Sequence, residues 1–131
     1  MYERVLRIVG PLHVVGGVLV FVTGFVPAAQ RFFESLFLTI DGFVWSPFFV
    51  AILGPTIASW GVLFGTLVTQ YFASPSVHLW RAMMIAVLIW APLDTALCLK
   101  FGLYGGAIIN GVVAVTLFVL LLGVRTLADE H

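Results

Sequence analysis

Residues 101–124 read FGLYGGAIINGVVAVTLFVLLLGV and contain no charged side chain. A helix needs roughly 20 predominantly apolar residues to cross the hydrocarbon core of a bilayer, so this stretch is long enough for one span. A helix is the expected form, because it satisfies its own backbone hydrogen bonds in lipid. We therefore interpret the stretch as a transmembrane helix covering about residues 104–124.

Further uncharged stretches of comparable length lie upstream. Residues 8–30 and 42–80 carry no charge, and only Asp94 interrupts the apolar run between Arg81 and Lys100. The 42–80 stretch is too long for one span and too short for two, so we assign it one long helix and a turn in the Ala-Ser-Pro-Ser segment at 73–76. The sequence thus predicts four spans, at about 5–26, 46–70, 80–100 and 104–124.

The overall composition supports a membrane protein and excludes several other classes. The chain is 62% hydrophobic and 9% charged, whereas soluble domains are about 45–50% apolar and about 25% charged. A soluble domain of 131 residues is too small to hide that much apolar surface from water. We therefore expect one membrane domain over residues 1–131, an all-α integral membrane protein with its four helices in a compact bundle.

The charge and cysteine content excludes two further kinds of site. Six basic side chains balance six acidic ones, so no basic surface is available to attract nucleic acid. The single cysteine, Cys98, excludes an internal disulfide and a multi-cysteine metal cluster. We also find no Gly-rich phosphate loop, no paired carboxylates and no nucleophile with an obvious base, and we expect no cofactor and no bound metal.

The distribution of basic residues predicts the orientation. Cytoplasmic loops carry an excess of Lys and Arg, which favours both termini in the cytoplasm. Four basic residues then lie on the inner side and two on the outer side: Arg4, Arg7, Arg81 and Arg125 against Arg31 and Lys100. We expect Tyr71 and Trp80 at the inner membrane surface, where aromatic residues are enriched. The composition suggests a bacterial inner membrane.

The segment between the first two spans has an amphipathic pattern. Residues 27–41 read PAAQRFFESLFLTID, with aromatic and aliphatic side chains at helical spacing and polar ones between them. This pattern predicts a short amphipathic helix at about 28–41 on the outer membrane surface. A hydrophobic loop folded over the bundle and a docking surface for a partner protein are the alternatives.

Small residues at helical spacing predict where the spans pack closely. Lipid provides no hydrophobic drive for helix association, so small side chains mark the places where backbones approach. Such residues recur every three, four or seven positions in the first, second and fourth spans: Gly10, Gly17, Gly24, Gly54, Ala58, Gly61, Gly65, Gly106 and Ala114. Packing within the bundle is one interpretation, and packing between chains is the other.

Asp94 is the most informative polar residue. A carboxyl group inside a spanning helix costs about 2.5–3.5 kcal/mol on insertion scales, and such groups face the bundle or a cavity and have a partner. If the last two spans turn near Gly102, then Asp94 and Asn110 lie at equal depth, roughly 12 Å from the outer end. We therefore predict an Asp94–Asn110 hydrogen bond, which is either structural or part of a proton or ligand site.

His13 and Trp90, which both carry a ring and are predicted near the middle of the membrane, complete the candidate polar site. His13 lies about 6 Å deeper than Asp94 and shares its helix face with Gly10 and Gly17. A packing role, a proton relay and metal ligation all remain open for His13. Trp90 lies one helical turn before Asp94, and either packs in the bundle or lines a ligand pocket.

Three functions remain open on this sequence. The first is an accessory subunit, assembly factor or scaffold of a membrane complex, with the lipid bilayer and another membrane protein or a second copy as partners. The second is a small proton-coupled transporter that works as a homo-oligomer, and the third is a lipid- or quinone-binding membrane protein. The glycine positions support the first, Asp94 and His13 the second, and Trp90 beside Asp94 the third.

Overall fold

A computed structural model describes residues 2–37 and 47–125 of the chain. Within these ranges the backbone forms helices and no strand. Five helices follow one another along the chain: α1 (Tyr2–Val22), α2 (Pro27–Phe37), α3 (Pro47–Ala73), α4 (Val77–Lys100) and α5 (Tyr104–Gly123). Four of them, all but α2, are long and apolar enough to cross a membrane, which confirms the predicted all-α fold with four spans.

The first span ends earlier than the sequence suggested. We placed its end near residue 26, but α1 ends at Val22 and a turn follows at residues 23–25. The Thr23 hydroxyl donates to the Val20 carbonyl at 2.6 Å, which closes the last turn. Pro27 disfavours helical geometry at the residue before it, and it then begins α2 at a position where its missing N–H is no loss.

The short helix α2 confirms the predicted helical segment between the first two spans. Within it, Arg31 and Phe32 are both exposed, Phe32 at 70% of its surface. An exposed phenylalanine beside an exposed arginine is typical of a helix lying at a membrane surface. The predicted end of this segment at 41, and the predicted start of the second span at 46, lie outside the described residues.

The helices α1 and α3 meet along four glycines, Gly10, Gly17, Gly54 and Gly61, which we call the glycine seam. A Cβ atom on Gly61 would lie 2.7 Å from the Gly10 carbonyl oxygen, and one on Gly17 would lie 2.5 Å from the Ala58 backbone nitrogen. Real side chains do not tolerate such distances from backbone atoms. The two backbones can therefore touch only because these positions carry no side chain.

The other predicted packing residues take different places. Gly65 extends the seam, since its Cβ would lie 3.3 Å from the Gly10 Cα. Gly106 is buried in α5, and Ala114 is half-buried on the same helix. Gly24 is exposed in the turn after α1, so it lies beyond the seam that its seven-residue spacing suggested.

The hydrophobic core lies at the end of the bundle where α1 and α4 begin and α3 and α5 end. Its buried members come from all four spans and from the residue after α5: Leu6, Phe64, Val68, Tyr71, Met83, Met84, Val87, Leu117, Leu120, Leu121 and Val124. We call this end the N-terminal end of the bundle. The opposite end holds the α4–α5 turn.

Two aromatic side chains cap the last carbonyl groups of α5. The Tyr71 hydroxyl donates to the Val124 carbonyl at 2.5 Å, and the Trp80 indole N–H donates to the Leu121 carbonyl at 2.8 Å. Carbonyls at a helix C-terminus lack partners within the helix, so these bonds satisfy them. Tyr71, which we expected at the membrane surface, is instead fully buried.

A tight turn joins α4 to α5 at Gly102, as predicted. Gly102 has a φ of 70°, the left-handed conformation that glycine adopts without strain. The Leu103 N–H bonds to the Cys98 carbonyl at 2.8 Å and the Gly102 N–H bonds to the Leu99 carbonyl at 3.2 Å. These two bonds form a Schellman motif, which ends α4 and sets the register of α5 against it.

Replacing Gly17 with alanine should loosen the α1–α3 contact. The new methyl group would meet the α3 backbone, so we expect Gly17→Ala to lower the free energy of unfolding by about 1–3 kcal/mol. Gly16→Ala is the matched control, because a Cβ at Gly16 would lie more than 4 Å from every atom of the other helices. Unfolding in mixed detergent micelles measures both, and equal stability of the two variants would contradict the seam.

Removing one hydroxyl group tests the cap on α5. We expect Tyr71→Phe to cost about 1–3 kcal/mol of unfolding free energy, because it leaves the buried Val124 carbonyl without its donor. Tyr104→Phe removes the same atom from a side chain that is 49% exposed and should change stability by less than about 0.5 kcal/mol. The same unfolding assay compares them, and a neutral Tyr71→Phe would show that the cap does not stabilise the bundle.

Candidate intramembrane polar site

The α4–α5 hairpin carries a pair of polar side chains at membrane depth. The Asn110 amide Nδ2 donates to the Asp94 Oδ2 at 2.5 Å, which is the hydrogen bond that the sequence predicted. Asp94 lies six residues before the end of α4 and Asn110 six residues after the start of α5, so each is about 9 Å from the hairpin turn. Both side chains are half-buried.

The same amide also reaches Cys98. The Asn110 Nδ2 lies 3.6 Å from the Cys98 Sγ, and the cysteine is buried one turn after Asp94 on α4. An amide nitrogen carries two N–H donors, so Asn110 can bond to the carboxyl oxygen and the sulfur together. The sequence alone indicated only a buried thiol at Cys98, because nothing in its neighbours pointed to a partner on α5.

No cation pairs with Asp94 in the part of the chain that the structure describes. The ion pair found there joins Arg7 and Glu3 within α1 at 2.8 Å. Lys100, on the same helix as Asp94, places its Nζ 5.6 Å from the centre of the Phe101 ring. Within residues 2–37 and 47–125, Asn110 is therefore the side chain that hydrogen-bonds the Asp94 carboxyl group.

A row of rings crosses the bundle next to this pair. The His13 and Trp60 ring centres are 4.5 Å apart, and those of Trp60 and Trp90 are 5.8 Å apart. Trp60 also stacks on Phe64 at 4.7 Å. The row runs from α1 through α3 to α4, so Trp60 contacts rings on two other helices.

His13 is held by its own helix and by Trp60. Its Nδ1 lies 2.8 Å from the Val9 carbonyl oxygen, which can only accept, so the proton in this bond belongs to Nδ1. These contacts favour the packing interpretation of His13. The structure brings Asp94 and Asn110 together, and it places His13 in the row of rings, which reaches Trp90 one turn before Asp94 on α4.

The chemistry available in this region is that of a single carboxyl group with an amide and a thiol. Among residues 2–37 and 47–125, no three His, Cys, Asp or Glu side chains gather to hold a metal ion. A carboxyl oxygen at this depth can accept a hydrogen bond from a donor on another helix, or bind a proton or a cation.

Comparisons with known proteins give no relative, since no family model, no curated protein and no solved structure matches this chain.

A double-mutant cycle measures the Asp94–Asn110 bond. We expect Asp94→Leu and Asn110→Leu to be coupled by about 0.6 kcal/mol of unfolding free energy, with about 1.7 kcal/mol as the upper range for bonds inside membranes. Asp94→Leu with Thr116→Val is the control cycle, because the Thr116 hydroxyl bonds only to the Val112 carbonyl of its own helix. A coupling no larger than in the control cycle would show that the bond is not formed.

Proposed function

We propose that the protein is an accessory subunit, assembly factor or scaffold of a membrane complex, and that it associates with its partner inside the bilayer. The observation that carries this proposal is the half-buried Asp94 carboxyl group, bonded to Asn110 at membrane depth. Inserting such a group costs about 2.5–3.5 kcal/mol, whereas one intramembrane hydrogen bond offsets about 0.6 kcal/mol. A donor on a partner helix would offset more of the cost.

Apart from the segment that contains α2, the connections between the spans are short, which supports association within the membrane. Three residues join α3 to α4, and three join α4 to α5. These connections offer little surface to a soluble partner, whereas the spans expose large apolar side chains along most of their length. A partner would therefore meet this protein mainly through lipid-facing surfaces, near the exposed edge of Asp94.

We also propose a bacterial inner membrane, with the N-terminal end of the bundle in the cytoplasm. The Arg7 guanidinium lies 5.4 Å from the centre of the Phe72 ring, and that of Arg125 lies 5.2 Å from the Trp80 ring. These contacts place two arginines at the N-terminal end of the bundle, together with Arg81 near the start of α4. The positive-inside rule supports a cytoplasmic position for that end.

The second candidate is a proton-coupled transporter that works as a homo-oligomer. The group of Asp94, Asn110 and Cys98 favours it, because acidic residues inside spans mark ion pathways and proton relays. The contact of α1 with α3 backbone to backbone leaves no passage between these two helices. In this candidate we place the transport path between copies, beside the α4–α5 hairpin that carries Asp94.

Native mass spectrometry of the protein extracted gently from its own membrane tests the first proposal. We expect other polypeptides at fixed stoichiometry with the unchanged chain, and their loss with Asp94→Asn, which keeps the shape of the side chain and its bond to Asn110 but removes the acidic group. Thr116→Val is the control and should keep the partners, because its hydroxyl is already bonded within α5.

Two other results would contradict that proposal. A homo-oligomer without further subunits would favour the transporter, and proton uptake into vesicles that Asp94→Asn abolishes would then identify its pathway. A monomer carrying a co-purified lipid or quinone that Asp94→Asn releases would instead favour a binding protein, with Trp90 and Asp94 at its site.

A further inference from the structure

A long groove runs along the outside of the α1–α3 pair. Its volume is about 510 Å³, and Gly10, Gly61 and Gly65 are among the residues that line it. None of the residues that line it belongs to the hydrophobic core, so the groove opens away from α4 and α5 toward the membrane. Its volume falls within the range of about 300–1,000 Å³ that is common for ligand sites.

The groove is a consequence of the glycine seam. Where two helix backbones touch, the side chains on either side must diverge, and the space between them has no atoms of the protein. An unfilled space in a membrane protein forfeits the dispersion contacts of its lining, and water in a largely apolar groove lacks hydrogen-bond partners. In a bilayer, an apolar chain is therefore the favoured filling.

The walls of the groove are apolar along most of its length. Val15 and Val62 line it, and the hydroxyls of Thr66 and Thr69 donate to the carbonyls of Val62 and Gly65 in their own helix. With these hydroxyl protons engaged, the two threonines have no free hydroxyl donor to offer an occupant. A hydrocarbon chain fits such a lining better than a polar ligand does.

One end of the groove is cationic. Arg7 lines it on α1 and Gln70 on α3, and Arg4 lies three residues before Arg7 on the same helix face. The Glu3 Oε1 oxygen accepts a hydrogen bond from the Arg7 Nε and lies 2.8 Å from both Nε and Nη2. Three of the five guanidinium N–H donors then remain for a ligand. Arg7 is the one charged residue of the groove lining, and Arg4 and Glu3 lie on α1 outside that lining.

Gln70 adds a neutral donor at the same end. Its side-chain amide is exposed and has no hydrogen-bond partner within the described ranges, whereas the neighbouring Thr69 is already bonded. An arginine and an unbonded amide on opposite walls can donate to the oxygens of one phosphate group. An apolar groove that ends at such donors is complementary to a molecule with an acyl chain and an anionic head.

We propose that this groove binds one anionic phospholipid of the same leaflet as the N-terminal end of the bundle. An acyl chain lies along Gly10, Gly61 and Gly65, and the phosphate contacts Arg7 and Gln70. The site is separate from Asp94, which lies toward the other end of the bundle on α4. The charge at the groove end favours a lipid over an apolar helix of a partner, because a helix of that kind has no anion to place there.

Lipid titration followed by native mass spectrometry tests this proposal. The chain in neutral detergent micelles is titrated with phosphatidylglycerol and, separately, with phosphatidylcholine of the same acyl chains. We expect one phosphatidylglycerol to bind more tightly than phosphatidylcholine. Arg7→Gln should lower the affinity for phosphatidylglycerol about fivefold, which corresponds to the loss of about 1 kcal/mol for one cation near an anionic lipid.

Two further variants separate the groove from general charge attraction. Thr66→Phe fills the groove from an exposed position and should abolish binding of both lipids, with Val62→Phe as the second filling variant if the first does not fold. Arg81→Gln removes a cation from the same end of the bundle but from α4, outside the groove lining, and should leave the affinity unchanged.

Three outcomes would overturn the proposal. Equal affinity for the two lipids would show that the head group is not recognised, and an equal loss in Arg81→Gln would show diffuse attraction to the bundle end. If both filling variants keep lipid binding but lose a second copy or another subunit, the groove is a protein contact. The lipid titration is independent of the proposed subunit function. We expect Asp94→Asn to remove the partner subunits but to leave the lipid affinity unchanged.

Discussion

The contact of the α1 and α3 backbones along Gly10, Gly17, Gly54 and Gly61 constrains the rest of the molecule. Lipid tails are as apolar as leucine, so association of spans depends on close packing rather than on exclusion of water. Glycine permits that packing here, because any Cβ at these positions would meet backbone atoms. The pair then presents two different sides, one that packs on α4 and α5 and one that carries the open groove.

The two ends of the bundle differ in the side chains they bury. At the N-terminal end, a fully buried Tyr71 and the indole of Trp80 satisfy the last carbonyls of α5, and core residues from all four spans surround them. Toward the other end, the α4–α5 hairpin holds a half-buried acid bonded to an amide. The buried core is therefore concentrated at one end, while the polar group that can contact a partner lies nearer the other.

The sequence predictions that the structure confirms depended on lengths and distances counted along the chain. The lengths of the apolar runs predicted four spans, and the structure confirms them. The Asp94–Asn110 bond was predictable because a short turn at Gly102 places residues equally far from it at equal depth. Glycine spacing identified the positions of the seam, whereas Gly24 lies in the turn after α1, since spacing alone does not show where a helix ends.

The sequence by itself determined the class of the protein, the number of its spans and the pairing across one hairpin. Only the tertiary structure decided which face of each span turns inward, and with it the burial of Tyr71, the contact of His13 with Trp60 and the groove between α1 and α3. The physical reason is that these helices are apolar on every side. In lipid, an inward face and an outward face then differ little in hydrophobicity, so the rotation of each helix follows from the packing of residues far apart in the chain.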